Sequence, residues 1–220
     1  MSTDMNKNKR FDSIIFDVDG TLWDSTDVVA DGWNSVFSAE PDVHTSVTGA
    51  ILHAEFGRPL EVIAADLLPY LSEERRAVIL RHLYRAEDEW LARYNPAPYE
   101  GVADTIRALA KDIPLYIVSN CQEGYIERFL SCTGLGEYFE DHLCPGDTGL
   151  FKADNIRTIV ERHGLLRPAY VGDTEGDRSA SMDAGVSFIW ASYGFSEKVD
   201  ADLSIRSIRE LPDLLNSGTP

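Results

Sequence analysis

The sequence predicts an α/β fold, in which a doubly wound parallel sheet carries an inserted helical domain. Short apolar runs recur along the chain, each followed by a loop and a helical pattern. Such alternation is typical of parallel strands that are covered by helices on both faces. Residues 24–95 depart from this alternation, because they show helical patterns and no strand pattern. We therefore expect residues 1–23 and 96–220 to form the α/β core and residues 24–95 to form a helical domain.

Five apolar runs are the candidate strands of the sheet. They cover residues 13–21, 113–120, 140–146, 168–177 and 187–194. Pro114 in the second run fits the start of a strand, where a proline is tolerated. The third run is the weakest of these patterns.

Helical patterns lie between the candidate strands, over residues 102–112, 122–134, 153–164 and 179–185. In the third of them, Ile156, Ile159 and Val160 align on one side of a helix. Gly164 follows directly and fits the C-terminal cap of that helix. These four patterns supply the helices that a parallel sheet needs on its faces.

The inserted segment contains three further helical patterns, over residues 27–39, 59–71 and 73–94. In the longest pattern, apolar side chains follow a three-to-four spacing at Ile79, Leu83, Ala86, Trp90 and Tyr94. We expect the cluster EDEW, residues 87–90, on a solvated helix face. The proline-rich residues 95–101 predict a hinge that leads back to the core.

Composition and charge exclude several classes of function. The chain has 20 Lys and Arg against 37 Asp and Glu, a net charge of -17, which disfavours binding to nucleic acids or to anionic membranes. The N-terminus lacks the apolar stretch of a signal peptide, and no run is long enough to span a membrane. The three cysteines form no C-x-x-C pair, so neither a disulfide framework nor a zinc site is expected. We expect a cytoplasmic protein.

Polar side chains follow the candidate strands at the points where the strands end. In an open parallel sheet, ligands bind outside these carboxyl ends. The sequence therefore predicts one site that combines carboxylates, hydroxyls, an amide and an ammonium group. Its candidate residues are Asp17, Asp19, Thr21, Ser119, Asn120, Lys152, Asp173 and Asp177.

This set of side chains predicts a magnesium site that handles phosphate. Asp17 and Asp19 are two residues apart, so in extended chain they share a face. Several carboxylates in one place need a hard cation, and Mg²⁺ prefers oxygen ligands and completes its shell with water and substrate phosphate. One carboxylate can then attack phosphorus, while a second acts as general acid and base.

The same residues resemble the motifs of the haloacid dehalogenase-like superfamily of phosphohydrolases. DVDGT resembles the first motif, IVSN the second, Lys152 the third and GDTEGD the acidic fourth. All four occur in the family's order, and the likeness spans residues 11 to about 195. The helical insert after the first motif resembles the C1-type cap of phosphoglycolate phosphatase-like members.

The resemblance implies a role for each residue. Asp17 would be the nucleophile and a metal ligand, and Asp19 the acid and base, with its backbone carbonyl on Mg²⁺. Asp173 would bind the metal and Asp177 would support it from nearby. Lys152 would hold nucleophile and phosphate. The phosphate would also be bound by Thr21, Ser119 and Asn120.

Three positions bear on substrate choice or depart from the family pattern. Arg58, in FGRPLE, resembles a cap loop that faces the site, where it would bind a substrate carboxylate or phosphate; alternatively it belongs to a plain helix-entry loop. Trp23 stands where many relatives have a smaller apolar residue, and we expect it to narrow the entrance. Lys152 is followed by Ala153 where proline is common.

The sequence thus predicts a Mg²⁺-dependent phosphatase that acts on a small phosphorylated metabolite, either phosphoglycolate-like or a sugar phosphate. A phosphomutase of the β-phosphoglucomutase kind is an alternative, because it keeps both aspartates of the first motif. A silent binding protein on the same fold is a second alternative. Haloacid dehalogenases proper lack the second aspartate, so Asp19 argues against them. Either a monomer or a homodimer is compatible with the sequence.

Overall fold

The protein is described here from a computed structural model that covers residues 10–216. Residues 1–9, which belong to the N-terminal segment predicted not to be a signal peptide, lie outside the described residues. Within them the sheet has six parallel strands in the order β3-β2-β1-β4-β5-β6. The strands are β1 (Ser13–Phe16), β2 (Leu115–Val118), β3 (Asp141–Leu143), β4 (Pro168–Gly172), β5 (Ser187–Ala191) and β6 (Ser204–Ile205). The predicted α/β parallel sheet is confirmed.

The strand order sets the position of the site. The first strand lies between β2 and β4, with Ile15 opposite Tyr116 on one side and Tyr170 on the other. The chain moves outward from β1 to β2 and β3, then crosses to β4 and continues to β5 and β6. This reversal creates a crevice beside the carboxyl ends of β1 and β4, where ligands bind in such sheets.

Helices of the core cover both faces of the sheet. One apolar cluster joins Ile15 and Tyr170 to Ile156 and Ile159 of a helix, and the opposite cluster joins Ile14 to other helices. The core helices are α5 (Val102–Leu109), α6 (Tyr125–Thr133), α7 (Pro145–Thr148), α8 (Lys152–His163), α9 (Glu175–Asp183) and α10 (Leu211–Asn216).

The helical insert follows β1. Its helices are α1 (Thr26–Ala39), α2 (Gly49–Glu55), α3 (Leu60–Leu67) and α4 (Glu73–Tyr94). The longest, α4, begins at the N-cap Ser72, whose side chain accepts from the Arg75 amide, and ends at Asn95 with a positive φ of 44°. It packs on α1, α3 and α6, so it connects the insert to the core.

Several boundaries differ from the sequence predictions for physical reasons. The third helix of the insert ends at Leu67 and not at residue 71, because Pro69 disfavours helical geometry in the residue before it. The helix after β2 begins at Tyr125 and not at residue 122, since Gly124 has a φ of 87°. Four short elements were not predicted, namely α2, α7, β6 and α10.

None of the helices in the described part of the chain is long and apolar enough to cross a membrane.

Candidate active site

A tight turn after β1 positions both aspartates of the first motif. The amide of Leu22 donates to the Val18 carbonyl (2.7 Å), so the chain reverses directly behind Asp17 and Asp19. Gly20 has a φ of 78° within this turn, and a Cβ there would collide with the carboxylate of Asp173. A glycine is therefore required for β1 and β4 to bring their carboxylates together.

Lys152 is buried between two carboxylates. Its Nζ donates to Asp17 Oδ1 (3.0 Å) and to Asp177 Oδ1 (2.6 Å), and the residue is 4% exposed. Burial lowers the pKa of this lysine, but the charges of the two aspartates outweigh it and raise the pKa. The ammonium group is thus held charged against Asp17.

Asp177 has a second function besides its contact with Lys152. Its Oδ2 accepts from the Thr174 hydroxyl (2.7 Å) and from the backbone amides of Thr174 and Asp173, and so it closes the capping box of α9. Burial raises the pKa of Asp177, but Lys152 and these donors lower it to a net depressed value. Asp177 therefore stays ionised and holds the lysine in place.

Three buried carboxylates form one acidic cluster. Asp17, Asp173 and Asp177 each offer an oxygen within 4.8 Å of the others. Burial, followed by the charge of Asp177, raises the pKa of both Asp17 and Asp173. An excess of buried negative charge with oxygen donors alone fits a hard divalent cation, which would relieve it.

Thr21 contacts this cluster and not the cavity described below. Its hydroxyl donates to Asp173 Oδ1 (3.4 Å), while the Phe195 amide donates to Asp173 Oδ2 (2.7 Å). Thr21 was predicted as a phosphate ligand. The contact with Asp173 is an additional one, and the phosphate role stays a prediction.

Asp19 is held by three donors that converge on one oxygen. The Ser25 hydroxyl (2.7 Å), the Tyr125 hydroxyl (2.8 Å) and the Trp23 indole N–H (3.0 Å) all donate to Asp19 Oδ1. Burial nevertheless raises the pKa of Asp19 to about 7, against the opposing effect of these hydrogen bonds. A carboxyl group with a pKa near 7 can both give and take a proton at neutral pH.

The prediction that Trp23 narrows the entrance is wrong. Its side chain is 0% exposed and packs edge-on against Tyr125 and Phe129, with ring centroids 6.0 and 5.1 Å away. The large indole ring fills the space between the turn after β1 and helix α6. Its indole N–H orients the Asp19 carboxyl group. Trp23 therefore affects that carboxyl group and not the entry of substrate into the cavity.

The two polar residues after β2 lie beside the aspartates. The buried Ser119 side chain forms a hydrogen bond to Asp17, which lowers the pKa of that carboxyl group. The amide of Asn120 donates to the Gly57 carbonyl (2.9 Å) in the loop before α3. Asn120 therefore connects the sheet edge to the helical insert.

A cavity of about 30 Å³ lies between the insert and the carboxyl ends of β1 and β2. Asp17, Asp19, Ser119 and Asn120 form its core side, together with Cys121, Gln122 and Tyr125; the insert contributes Phe56, Gly57, Arg58, Leu60, Ile63 and Glu87. The structure thus brings most of the predicted residues together, with Asp17 shared between the cavity and the acidic cluster.

Arg58 lines this cavity, but its guanidinium is engaged elsewhere. It is paired with Glu55 and, at 2.6 Å, with Asp66, and the side chain is 42% exposed. Both partners belong to the insert, so the charge of Arg58 is compensated by carboxylates of the insert itself. The predicted contact with substrate would require these pairs to rearrange.

Glu87 is a site residue that the sequence analysis missed. The predicted solvated face is wrong for this residue, which is 3% exposed and lines the cavity. Its Oε1 accepts from Gln122 Nε2 and its Oε2 from Trp33 Nε1, both at 3.2 Å. A signal was available, because Glu87 lies four residues after Leu83 and so shares the apolar face of α4.

Comparison with known proteins agrees with this arrangement. The model of a family described as haloacid dehalogenase-like hydrolase matches residues 14–191, which is most of the chain. The chain belongs to the haloacid dehalogenase-like hydrolases. It is an enzyme, a phosphatase of this family, and the predicted likeness to phosphoglycolate phosphatases is confirmed.

Curated relatives and solved structures support the same assignment. A phosphoglycolate phosphatase from Agrobacterium fabrum is 30% identical over 83% of this chain and 81% of its own length. One from Chromobacterium violaceum is 28% identical over 96% and 99%. A haloacid dehalogenase-like family hydrolase from Streptococcus pneumoniae has the same fold, with a TM-score of 0.81 at 20% identity over 93% of this chain and 98% of its own.

Proposed function

We propose that this protein is a Mg²⁺-dependent phosphatase that hydrolyses a small phosphorylated metabolite through a phosphorylated Asp17. The observation that carries the proposal is the arrangement around Asp17. A buried ammonium lies 3.0 Å from its carboxylate, and a second carboxyl group with a pKa of about 7 lines the same cavity. This combination supplies a nucleophile, a positive charge for phosphate and an acid–base group.

The oxygen-only cluster identifies the residues that would hold Mg²⁺. The cluster supports the carboxylates of Asp17 and Asp173 as ligands, with Asp177 nearby; the family resemblance adds the backbone carbonyl of Asp19. When bound, the ion would neutralise negative charge on the phosphoryl oxygens. Asp177 also keeps Lys152 in place through its 2.6 Å ion pair, so it contributes without touching substrate.

The chemistry would proceed in two displacements at phosphorus. An oxygen of Asp17 attacks, the bond from phosphorus to the ester oxygen breaks, and protonated Asp19 gives its proton to the leaving alkoxide. Ionised Asp19 then takes a proton from water, whose oxygen attacks phosphorus and releases Asp17 and inorganic phosphate. Lys152 and Ser119 are placed to orient Asp17 and the phosphoryl oxygens.

We infer that residues 24–95 act as a cap domain over a core of residues 1–23 and 96–220. The contact from Asn120 to Gly57 and the small cavity support a closed state in which water is excluded from the phosphoryl group. The cap then has to open for substrate to enter. A cytoplasmic location and a monomer or homodimer remain part of this proposal.

The relatives' names bear on the substrate. Both curated relatives described above are called phosphoglycolate phosphatases, which favours a small organic phosphate for this chain. A phosphorylated sugar fits the same chemistry, because Asp17 attacks phosphorus and Asp19 protonates the ester oxygen whichever alcohol that oxygen belongs to.

The proposal is tested with p-nitrophenyl phosphate as a general substrate. We expect hydrolysis with Mg²⁺, loss of hydrolysis with EDTA, and recovery when Mg²⁺ is restored. Asp17→Asn should lower kcat by about a thousandfold or more, because an amide is a poor nucleophile. The matched control is Asp31→Asn on the exposed face of α1. Activity that persists in Asp17→Asn would overturn the mechanism.

A further inference from the structure

The cap side of the cavity presents a carboxyl group. Glu87 comes from α4 and faces the same space as Asp17 and Asp19. Gln122 and Trp33 each donate to one of its oxygens, which fixes the orientation of the group. Any leaving group that extends from the phosphate toward the cap has to meet this carboxyl group.

A wider groove of about 430 Å³ continues from the cavity. The two spaces share Leu60, Asn120, Cys121 and Gln122 as a common wall. The groove adds two more acidic side chains, Glu61 and Glu123, and the hydroxyl of Tyr84. None of the described residues that line it is basic.

The one basic residue among the described residues lining the cavity is not available as a free cation. Arg58 is paired with Glu55 and Asp66, so this cluster carries a net negative charge. Lys152, the buried cation of the core, is bound to Asp17 and Asp177 at the phosphoryl end. The leaving-group end is therefore acidic.

We propose that Glu87 makes this phosphatase select an uncharged, hydroxyl-bearing leaving group, that of a polyol or sugar phosphate, over a carboxylate such as glycolate. The inference rests on the proposed function, since it concerns the leaving group of that same reaction. It assigns the substrate class to a residue of the cap.

Hydrogen bonding and charge both give this preference. A hydroxyl donates and accepts, so it matches Glu87 whether that group is ionised or protonated. A substrate carboxylate accepts only, and against ionised Glu87 it is repelled in a site of low dielectric. Gln122 lies beside Glu87 and offers a second group that pairs with hydroxyls.

The test compares glycerol 3-phosphate with phosphoglycolate, two substrates of similar size that differ in leaving-group charge. For the wild-type enzyme at about pH 8, where Glu87 is mostly ionised, we expect kcat/KM to favour glycerol 3-phosphate by about tenfold or more. Glu87→Gln keeps the shape of the side chain and removes the charge. It should shift the ratio of the two kcat/KM values toward phosphoglycolate by about tenfold.

Controls separate this inference from the proposed function. Glu89→Gln removes the same charge from an exposed position of α4 and should leave the ratio unchanged. If no variant hydrolyses p-nitrophenyl phosphate, the proposed function fails and this inference with it. If p-nitrophenyl phosphate is hydrolysed but the wild type prefers phosphoglycolate, the inference alone is overturned. The order of the two kcat/KM values in the wild-type enzyme tests the inference even if Glu87→Gln does not fold.

An unchanged ratio in folded Glu87→Gln would also overturn the assignment to this residue. Circular dichroism establishes that the variant is folded. A shift of the ratio in Glu87→Gln, with none in Glu89→Gln, would support the assignment of specificity to Glu87.

Discussion

A buried carboxyl group costs stability when it ionises, and Glu87 is such a group. Burial raises its pKa to about 7, with further contributions from the charges of Asp19 and Asp88 and against the hydrogen bonds from Gln122 and Trp33. An unfolded chain returns the group to its ordinary pKa of 4.5. Between these two values the folded state binds more protons than the unfolded state. Stability is therefore lost as pH rises through this window.

We predict that Glu87→Gln removes this pH-dependent loss of folding stability. Between about pH 5 and about pH 8, the wild type should lose about 2 kcal/mol of unfolding free energy relative to the variant. Urea unfolding at several pH values measures the difference, and the comparison cancels the other buried carboxylates. Glu89→Gln should follow the wild type. Parallel curves for the wild type and Glu87→Gln would contradict the buried, high-pKa state of Glu87.

Residues differ in how far the sequence alone identifies them. The topology of a parallel sheet predicts that motif residues at the strand ends lie close together, and this applies to Asp17, Asp19, Lys152 and Asp173. The environment of Asp19 could not, because Tyr125 reaches it from a helix more than a hundred residues away. Only tertiary packing decides which side chains converge on one oxygen.

At the scale of elements, the loop before α3 is held against the end of β2 by one side chain. Asn120 donates from the core to the Gly57 carbonyl in the insert. A Cβ at Gly57 would approach Thr174 to 3.1 Å, so this loop also lies close to the start of α9. The loop of the insert therefore lies against two separate parts of the sheet edge.

Asn120→Ala should weaken this connection. We expect kcat/KM to fall about five- to tenfold, because one hydrogen bond that favours the closed cap is lost. We also expect faster amide hydrogen exchange in residues 56–63, which reports local opening of the loop. Hydrogen exchange by mass spectrometry and steady-state kinetics measure the two effects.

The control for Asn120→Ala is Asn216→Ala, at an exposed position in the last turn of α10. It should change neither quantity. Unchanged exchange in Asn120→Ala, together with weaker inhibition by inorganic phosphate, would contradict the cap contact. That result would favour direct binding of phosphate by Asn120, the role that the sequence predicts.

Elements were predictable where a pattern was long enough to show its period. The core strands of four or five residues and the 22-residue α4 are of this kind. The two residues of β6 are too few for an alternating pattern, and they pair with β5 only because the sheet is already formed. The α2 helix, seven residues long, begins at the N-cap Thr48 with little periodicity to mark it.

At the scale of the whole molecule, the net charge of the protein repels its anionic substrate. The chain carries a net charge of -17, and a phosphate monoester is an anion. The cation nearest to the nucleophile, Lys152, is buried and already paired with two aspartates. Approach from a distance is therefore governed by the repulsive overall charge, while attraction acts only at short range.

Salt should consequently accelerate the reaction at low substrate concentration. Raising NaCl from about 10 mM to about 150 mM shortens the screening length from roughly 30 Å to roughly 8 Å. With Mg²⁺ saturating, we expect kcat/KM for p-nitrophenyl phosphate to rise about two- to fivefold as repulsion is screened. The value of kcat, measured at saturating substrate, should stay constant and serves as the control. A fall in kcat/KM would mean that a local positive field at the cap entrance outweighs the net charge, which the acidic groove lining argues against.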